Sequence, residues 1–545
     1  MDWAGLRTRG SRKPTAQDFA IRHPSGSPEI AKTILDGSFS RYGQTHTSDP
    51  AKAWTAPLPS ERFARWIHGF GWLHDLAALG SDEAKRLSRE LVISWLGEFG
   101  SYHSFVWHPQ VLADRVLALA VSYPFSGKGG SDADSPDARV SASLDRQSAI
   151  LARTYDRLPR SAPRLRSLIA LQASSLRLRQ NPRQGGRLQT ALADTLKADI
   201  LPDGGHASRS IDTTLSVYAD LLAFDALLEA SGKPALPAVT RALDRMAPFL
   251  ATLSHADGTL ATFQGGGEGN ARALAKAMSQ PQARPFGFAP NVGYQRIEAG
   301  GTVLLMDAGL PPPFPLDRHA HLSPLAFELS SPSGCLITSC GFGPEQPLSW
   351  REAVRQPSAH STLDIEGASL AKVRPAAELY DGLMIGDGEG GHIVRDPGPL
   401  RIQRREAELG TLLEGTHHGF VPSTGLVHTR RLYLSSDGRD LRGEDSLGPA
   451  GDGPVGYESG HVVQIRFHIH PDVVADLAPG GTHIVLKSGG EDWAFLASAP
   501  GAKFDIRESA YLGTGSRPRP CQQIVLHFTL TEPRWQGRWG FRRKG

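Results

Sequence analysis

The stretch "DRHAHLSPLAFELSSPSG", from Asp317 to Gly334, joins two histidines to a run that alternates apolar and polar residues. Alternation with a period of two is typical of a strand that has one buried face. From about Gly293 onward the same texture recurs in short segments rich in Val, Ile, Thr and aromatic residues, separated by clusters of Gly, Pro, Asp and Ser. This part of the chain therefore predicts a large antiparallel β-structure.

Between about residues 60 and 255 the apolar residues recur instead at three- and four-residue spacing, as in "SERFARWIHGFGWLHDLAALG" from Ser60 to Gly80. Several such segments open on Ser or Asp and end near Gly, as helices do. The whole sequence thus predicts an α+β multidomain protein, with a helical domain over 1–280 and an antiparallel β domain over 281–545. We expect a flexible N-terminal segment and a Gly-rich connection at 262–288.

Composition narrows the class of protein. At 545 residues the chain is too long for one core, and 40% hydrophobic with 21% charged residues is ordinary for a globular protein. No window approaches the roughly 18 apolar residues of a membrane span. Three cysteines without a CxxC pattern argue against a disulfide framework, and a net charge of +3 with scattered arginines argues against nucleic acid. The beginning lacks the apolar segment of a secretory signal, so we expect a cytoplasmic protein.

Four strings carry a resemblance to a known family: "WIHGFGWLHDL" (66–76), "DGGHASRS" (203–210), "HAHLSPLAFELSSPSG" (319–334) and "HSTLDIEG" (360–367). Together they closely resemble the heparinase II/III-like family, of the polysaccharide lyase type and in its alphaproteobacterial-like branch. The resemblance implies an (α/α) toroid, as in alginate lyases, followed by an antiparallel β-sandwich. It also implies β-elimination of uronic-acid polysaccharides such as glycosaminoglycans, with the periplasm or cell envelope as the alternative location.

β-Elimination of a uronate glycoside requires a group that neutralises the substrate carboxylate, a base and an acid. By resemblance, His206 is the neutralising residue and His319, the first histidine of the HxH pair, is catalytic. Histidine suits proton transfer because it titrates near neutral pH. His319 and His321 would also point to the same side of a strand. The alternative for His206 is a loop histidine that caps the next helix. The alternative for His319 and His321 is an ordinary polar strand end.

The catalytic tyrosine of characterised relatives lies about fifty residues after the neutralising residue, where this chain has Phe263 and no tyrosine. Phenylalanine cannot transfer a proton. Tyr294 is the substitute we name as catalytic, and Tyr218, on the helix after His206, is a second one. A strand position for Tyr294 and a helix core position for Tyr218 are the alternative interpretations.

Zinc-bearing relatives hold their metal with the second histidine of the HxH pair and a later histidine, which correspond here to His321 and His360. Those relatives add an aspartate, but this chain has Ser323 and Ser339 at the corresponding positions. Zinc needs about three protein ligands. With the carboxylate missing, the sequence favours a site without metal over one that holds zinc or calcium.

The predicted substrate is an acidic oligo- or polysaccharide, and four residues are candidates for contacting it. They are Arg209 near His206, Trp72 in the helical part, Arg351 beside an aromatic residue, and His418 in a loop of the β half. Sugar sites favour aromatic residues with polar neighbours, although Trp72 could equally pack in a helical core.

Three functions compete. The leading hypothesis is a polysaccharide lyase that cleaves a uronic-acid-containing glycan by β-elimination. A non-catalytic carbohydrate-binding protein with the same fold is the second, and the missing tyrosine favours it. A toroid-type glycoside hydrolase is the third; it needs two carboxylates around one bond, for which Asp203 and Glu328 are the pair we nominate.

Overall fold

The two hydrophobic periodicities correspond to two kinds of secondary structure, since the first part of the chain is helical and the second is antiparallel sheet. This computed structural model describes residues 16, 18, 21–48, 53–126, 134–178, 182–343, 346–371, 373–375, 391–393, 398–451, 460–514 and 517–544. The N-terminal segment expected to be flexible lies mostly outside them. They form two compact units. The helical unit comprises the described residues up to Ala198 with Val217–Leu243, and the sheet unit comprises Asp199–Ser216 and the described residues from Asp244 onward.

The described helices begin and end as follows: α1 (Pro28–Leu35), α2 (Glu61–His68), α3 (Gly71–Leu79), α4 (Asp82–Phe99), α5 (Pro109–Ser122), α6 (Pro136–Thr154), α7 (Ala162–Arg177), α8 (Pro182–Asp199), α9 (Ile211–Ala230), α10 (Pro237–Thr252), α11 (Ala271–Met278), α12 (Leu348–Ala353) and α13 (Val421–Thr424). Short 3-10 turns cover Tyr155–Arg157 and Pro357–Ala359. Among these residues, no helix is both long and apolar enough to cross a membrane.

Serine side chains fix where several helices begin. In each case the hydroxyl oxygen at the position before the helix accepts the backbone N–H three residues later, which satisfies a donor that the first turn would leave unpaired. The capping serines are Ser27, Ser60, Ser81 and Ser135. Of these, Ser60 and Ser81 are positions at which the sequence pattern predicts helix starts.

Helix α5 is the buried centre of the helical unit, because nearly every residue from Gln110 to Ser122 is inaccessible to solvent. Arg115 lies inside this core, where its Nε and Nη1 donate to protein acceptors. It donates to Gln147 Oε1 at 2.7 Å and to the carbonyl oxygens of His68 and Val106, both at 2.9 Å. A buried guanidinium is tolerated only when it is hydrogen-bonded in this way.

The strands begin and end as follows: β1 (Ser38–Arg41), β2 (Gln44–Thr47), β3 (Phe288–Ala289), β4 (Tyr294–Ala299), β5 (Thr302–Asp307), β6 (Phe327–Ser331), β7 (Gly334–Thr338), β8 (Leu363–Ile365), β9 (Val373–Pro375), β10 (Gly391–Ile393), β11 (Leu400–Ala407), β12 (Gly410–His417), β13 (Leu426–Ser435), β14 (Asp440–Pro449), β15 (His461–Ile469), β16 (Val474–Leu477), β17 (Ile484–Ser488), β18 (Glu491–Ser498), β19 (Lys503–Tyr511), β20 (Arg519–Leu530) and β21 (Trp535–Arg543).

Two large antiparallel sheets dominate the sheet unit. One has the strand order β11-β12-β13-β14-β21-β18-β17-β16; the other has the order β19-β20-β15-β7-β6-β5-β4-β3, with β8 also paired to β15. Strands β1 and β2 form a hairpin in the helical unit, and β9 pairs with β10. The expected antiparallel β-structure is therefore present, built from connections that are mostly short hairpins.

The two large sheets pack face to face around one hydrophobic core. Phe327 of β6 stacks on Trp539 of β21, with ring centroids 5.3 Å apart, and Phe467 of β15 meets the same tryptophan at 4.6 Å. Phe467 also lies 5.1 Å from Phe495 of β18. Aromatic side chains from both sheets thus share one layer, as in a β-sandwich.

The Gly-rich stretch at 262–288 is more ordered than its composition predicts. Asn270 accepts the backbone N–H of Ala273 at 2.9 Å and begins α11. Gly267 approaches the backbone of Gly513 so closely that a Cβ there would lie 2.3 Å from its carbonyl oxygen. The glycines allow close backbone packing within the sheet unit and do not mark a free linker.

Candidate functional site

The His206 loop, residues 200–210, precedes α9 and belongs to the sheet unit. Gly204 adopts a φ of +94°, and a Cβ at this position would lie 2.0 Å from the carbonyl oxygen of Arg245. His206 is buried, its backbone N–H donates to Thr214 Oγ1 at 3.0 Å, and its Nδ1 accepts the Ser208 backbone N–H at 3.1 Å. Because Nδ1 is an acceptor, the proton of the neutral ring lies on Nε2.

Arg209 is buried in the same loop and connects it by hydrogen bonds to other segments of the sheet unit. Its guanidinium donates to Val292 O at 2.6 Å and forms an ion pair with Asp307. The other donors reach the carbonyl oxygens of residues 293, 309 and 310, each at 3.0 Å. Burial alone would lower the pKa of Arg209, but the Asp307 carboxylate raises it above its ordinary value. All five N–H donors thus bond to protein acceptors, where we had expected a substrate contact.

Tyr294, at the start of β4, is fully buried beside Arg209. Its hydroxyl donates to the Arg209 carbonyl oxygen at 2.7 Å, and the Arg209 guanidinium carbon lies 5.0 Å from its ring centre. Phe263 stacks on the same ring, with the two ring centroids 5.9 Å apart. Burial raises the pKa of Tyr294 well above its ordinary value. The phenol is therefore protonated at neutral pH and already hydrogen-bonded.

Asp307, the last residue of β5, links this loop to the HxH segment. While Arg209 bonds to Oδ1, the second oxygen accepts Gln264 Nε2 at 2.6 Å and Ser323 Oγ at 2.9 Å. Gln264 Oε1 in turn accepts the His321 backbone N–H at 2.9 Å. We call Arg209, Gln264, Asp307 and Ser323 the Asp307 cluster; all four side chains are buried.

The HxH histidines differ in environment. His319 is half-buried, with its ring 5.7 Å from Phe342, whereas His321 is buried. The expectation that both share one face of a strand is wrong, because β6 begins only at Phe327 and the pair lies in the preceding loop. Gly265 lies directly against His319, since a Cβ on the glycine would be 2.8 Å from the histidine Cβ. Within this loop, the imidazole of His319 is therefore partly accessible to solvent, whereas that of His321 is buried.

His360 pairs with His321, as the sequence predicts for neighbouring positions. His321 Nδ1 and His360 Nε2 are 3.1 Å apart, and the same Nε2 lies 3.1 Å from Val354 O. A carbonyl can only accept, so His360 Nε2 carries the proton. Burial lowers the pKa of His360 to about 4 and that of His321 well below its ordinary value. Both rings are neutral at pH 7.

The His321–His360 pair does not fit the donor set of a zinc or calcium site. Among the described residues, no group of three His, Cys, Asp or Glu side chains is arranged to hold a metal ion. Ser323, where relatives have an aspartate, bonds to Asp307. Zinc takes about three protein ligands and calcium takes six or more oxygens. We therefore derive no step of the chemistry through a metal.

The remaining candidates for substrate contact lie in different surroundings. Trp72 is sealed in the helical unit, where its indole N–H donates to Ile67 O at 3.0 Å. Arg351 is half-buried on α12, beside the exposed Trp350. His418 is half-buried after β12, and its backbone N–H donates to Pro399 O at 3.1 Å. Tyr218, the second tyrosine named from the sequence, is buried on α9.

The two carboxylates nominated for hydrolysis are both held by protein donors. Glu328 is fully buried, where it pairs with His255 at 2.9 Å and accepts the Thr262 hydroxyl at 2.6 Å. Asp203 accepts the backbone N–H groups of Asn291 and Val292 at 2.7 and 3.0 Å. This arrangement makes Glu328 and Asp203 tethers between segments of the sheet unit.

A helical unit and a two-sheet antiparallel sandwich, with histidine-bearing loops in the sheet unit, are the features that this chain shares with heparinase-fold proteins. A family model described as "Heparinase II/III-like, C-terminal" matches residues 281–539. The chain belongs to the heparinase II/III-like family.

Three similar proteins illustrate this relationship. FtsZ-localized protein C of Caulobacter vibrioides (strain NA1000 / CB15N) is 32% identical over an alignment of 518 residues that covers 91% of this chain and 86% of that protein. A crystal structure of heparinase III is similar at a TM-score of 0.70 and 12% identity, over 98% of this chain and 88% of that one. A heparan sulfate lyase mutant from Pedobacter heparinus is similar at 0.61 and 16%, over 94% and 82%. At such identities the structures establish the fold alone.

Proposed function

We propose that the protein is a polysaccharide lyase that cleaves an acidic, uronic-acid-containing glycan by β-elimination, and that its helices form an (α/α) toroid. The fold shared with heparinase III over 98% of the chain supports this. The observation that carries the proposal is the half-buried imidazole of His319, held in a loop next to rigid, buried neighbours. An imidazole with access to solvent can exchange protons near neutral pH.

In the proposed reaction, His319 removes the proton from the sugar carbon that bears the carboxylate. The resulting electron pair forms a C=C bond as the bond to the neighbouring glycosidic oxygen breaks. The same histidine then returns the proton to the leaving oxygen, so that atoms and charges balance. We also assign His206 to stabilise the negative charge that develops on the substrate carboxylate, a contact for which the substrate must reach a ring that is buried in the structure.

Tyr294 takes no direct part in this scheme. Its hydroxyl is bonded to the Arg209 carbonyl, and its raised pKa keeps it protonated. Its role is to hold the His206 loop through Arg209. A single histidine is therefore the proton carrier that we assign.

The test is incubation of the purified protein with heparan-type, alginate and related uronates, followed by ultraviolet detection of unsaturated ends. His319→Gln should lower turnover about 100-fold or more, because it removes general acid–base catalysis. His483→Gln, in the loop before β17, is the control and should leave turnover unchanged. A folded wild-type protein that yields no unsaturated ends, under conditions in which heparinase III does, would contradict the proposal.

Two outcomes would favour the alternatives. Binding of these glycans without any bond cleavage would indicate a non-catalytic carbohydrate-binding protein, an interpretation that the occupied Tyr294 hydroxyl supports. New reducing ends without unsaturation would indicate a glycoside hydrolase. The protein donors that hold Glu328 and Asp203 give that hydrolase the least support.

A second candidate function is association with FtsZ in the cytoplasm, independent of catalysis. It rests on the 32% identity with FtsZ-localized protein C, which extends over 91% of this chain. Fluorescent fusions in the native cell should place this protein where FtsZ assembles. A signal that does not coincide with that of labelled FtsZ would argue against the association.

A further inference from the structure

Backbone strain in the sheet unit is concentrated around one carboxylate. Among the described residues, five that are not glycine adopt a positive φ, and three of them are Arg209 (61°), Gln264 (51°) and Leu325 (60°). Each of these three bonds directly to Asp307. Arg209 and Gln264 bind its carboxylate, and the Leu325 backbone N–H donates to its carbonyl oxygen at 2.9 Å.

A left-handed backbone is unfavourable for residues with a side chain, by about 1 kcal/mol or more for each. Such residues persist where the surrounding contacts determine the conformation, and they cluster at functional sites. Glycine would adopt these angles without that cost. The chain instead keeps two long polar side chains here, and both use the conformation to reach Asp307.

The two oxygens of Asp307 divide their partners between two loops. Oδ1 bonds to Arg209, three residues after His206, whereas Oδ2 bonds to Ser323, two residues after His321, and to Gln264. Gln264 holds both backbone groups of His321, accepting its N–H at 2.9 Å and donating to its carbonyl oxygen at 3.3 Å. Because Asp307 ends strand β5, these hydrogen bonds connect both loops to the nine-stranded sheet.

Gln264 directly precedes the residue that packs against His319. The next residue, Gly265, has a φ of +73° and lies so close to His319 that a Cβ would come within 2.9 Å of its carbonyl oxygen. The loop that carries the accessible imidazole is thus held on both sides, at His321 by hydrogen bonds and at His319 by backbone packing. A shift of Gln264 would move both contacts together.

We propose that Asp307 and Gln264 are positioning residues that hold the His319 loop in register with the His206 loop, so that the two imidazoles keep a fixed relative placement. The inference rests on the proposed lyase function and deepens it. Neither residue contacts the reacting atoms. Their effect on turnover comes from the geometry they impose, and misplacement of a catalytic group by about 1 Å can cost about 100-fold in rate.

The test compares Gln264→Met with Gln523→Met. Gln523 is also a buried glutamine of the sheet unit, and it donates to Glu508 O at 2.9 Å. Gln264→Met should lower kcat about 10- to 100-fold, with little change in KM, while Gln523→Met should leave kcat unchanged at a comparable loss of stability. Asp307→Asn should act in the same direction, and Gln264→Met carries the test if Asp307→Asn does not fold.

The imidazole NMR signals of His319, assigned with His319→Gln, provide a second readout that does not depend on turnover. They should shift or broaden in Gln264→Met and stay in place in Gln523→Met. If the wild-type protein has no lyase activity, the proposed function fails while these signals still test the positioning. Wild-type kcat and unchanged His319 signals in Gln264→Met would overturn the inference, as would an equal loss of kcat in Gln523→Met.

Discussion

His360 is a buried imidazole whose protonation opposes folding. Burial lowers its pKa to about 4 in the folded protein, against an ordinary value of about 6.5 in the unfolded chain. The unfolded state therefore binds more protons between these two values. Stability is complete above about pH 6.5 and is lost progressively as the pH falls towards 4.

We expect His360→Gln to weaken this pH dependence. Its amide can still donate to Val354 O but cannot become charged. Between pH 7.5 and pH 5, the wild-type protein should lose about 2 kcal/mol more of its free energy of unfolding than the variant does. Urea unfolding at the two pH values measures the difference. His483→Gln should retain the wild-type loss, and an equal loss in His360→Gln would show that this histidine does not take up the proton.

At the residue scale, the sequence identifies the histidines but not what holds them. His206, His319, His321 and His360 stand out because their spacing and neighbours resemble a family pattern. Asp307 attracts no such notice, because an aspartate before Ala-Gly at the end of a strand is an ordinary turn residue. Its partners lie tens of residues away along the chain, and only the folded backbone brings them together.

At the scale of elements, the His206 loop depends on a glycine with no room for a side chain. Gly204→Ala would place a Cβ 2.0 Å from Arg245 O at a φ of +94°. Gly258→Ala is the matched control, since its φ is +84° and nothing lies within 4 Å of the added Cβ. We expect a loss of about 1 kcal/mol for the control and about 3 kcal/mol for Gly204→Ala.

Chemical unfolding of both glycine variants provides the measurement. Because the clash displaces the loop, Gly204→Ala should also change the NMR signal of His206, which Gly258→Ala should not. Equal losses of stability would mean that the Arg245 backbone moves aside at little cost.

Local patterns predict helices and strands well where the structure depends on residues that are close together in the sequence. The capping serines of α2 and α4 mark helix starts because a cap needs only three further residues. Helix α11 is harder to predict, because glycines surround it and a Gly-rich composition indicates a linker. Its Asn270 cap and the spacing of apolar residues after it were the available signals.

At the scale of the whole molecule, the two compact units predict two responses to core mutations. Phe467→Ala, in the sandwich core, and Leu117→Ala, in α5, each remove a fully packed side chain and should cost about 3–5 and 2–5 kcal/mol respectively. Hydrogen exchange should accelerate mainly in peptides of the sheet unit for Phe467→Ala and mainly in peptides of the helical unit for Leu117→Ala. Equal acceleration throughout both variants would show a single cooperative unit instead.

The division into a helical and an antiparallel part follows from periodicity, which is a local property of sequence. The order of strands does not. Strand β21 lies between β14 and β18, which precede it by many residues, and no local sequence pattern indicates these neighbours. Alternation indicates which face of a strand is buried, but it does not indicate which other strand pairs with it.

The placement of β21 has a consequence for synthesis on the ribosome. Until that strand emerges, the eight-stranded sheet exists as two halves, β11–β14 and β16–β18, each with a bare edge where β21 will pair. The nascent chain also lacks Trp539, which fills the layer between the sheets. Exposed edges invite pairing with other chains, so the sandwich is most vulnerable to aggregation until β21 has been made.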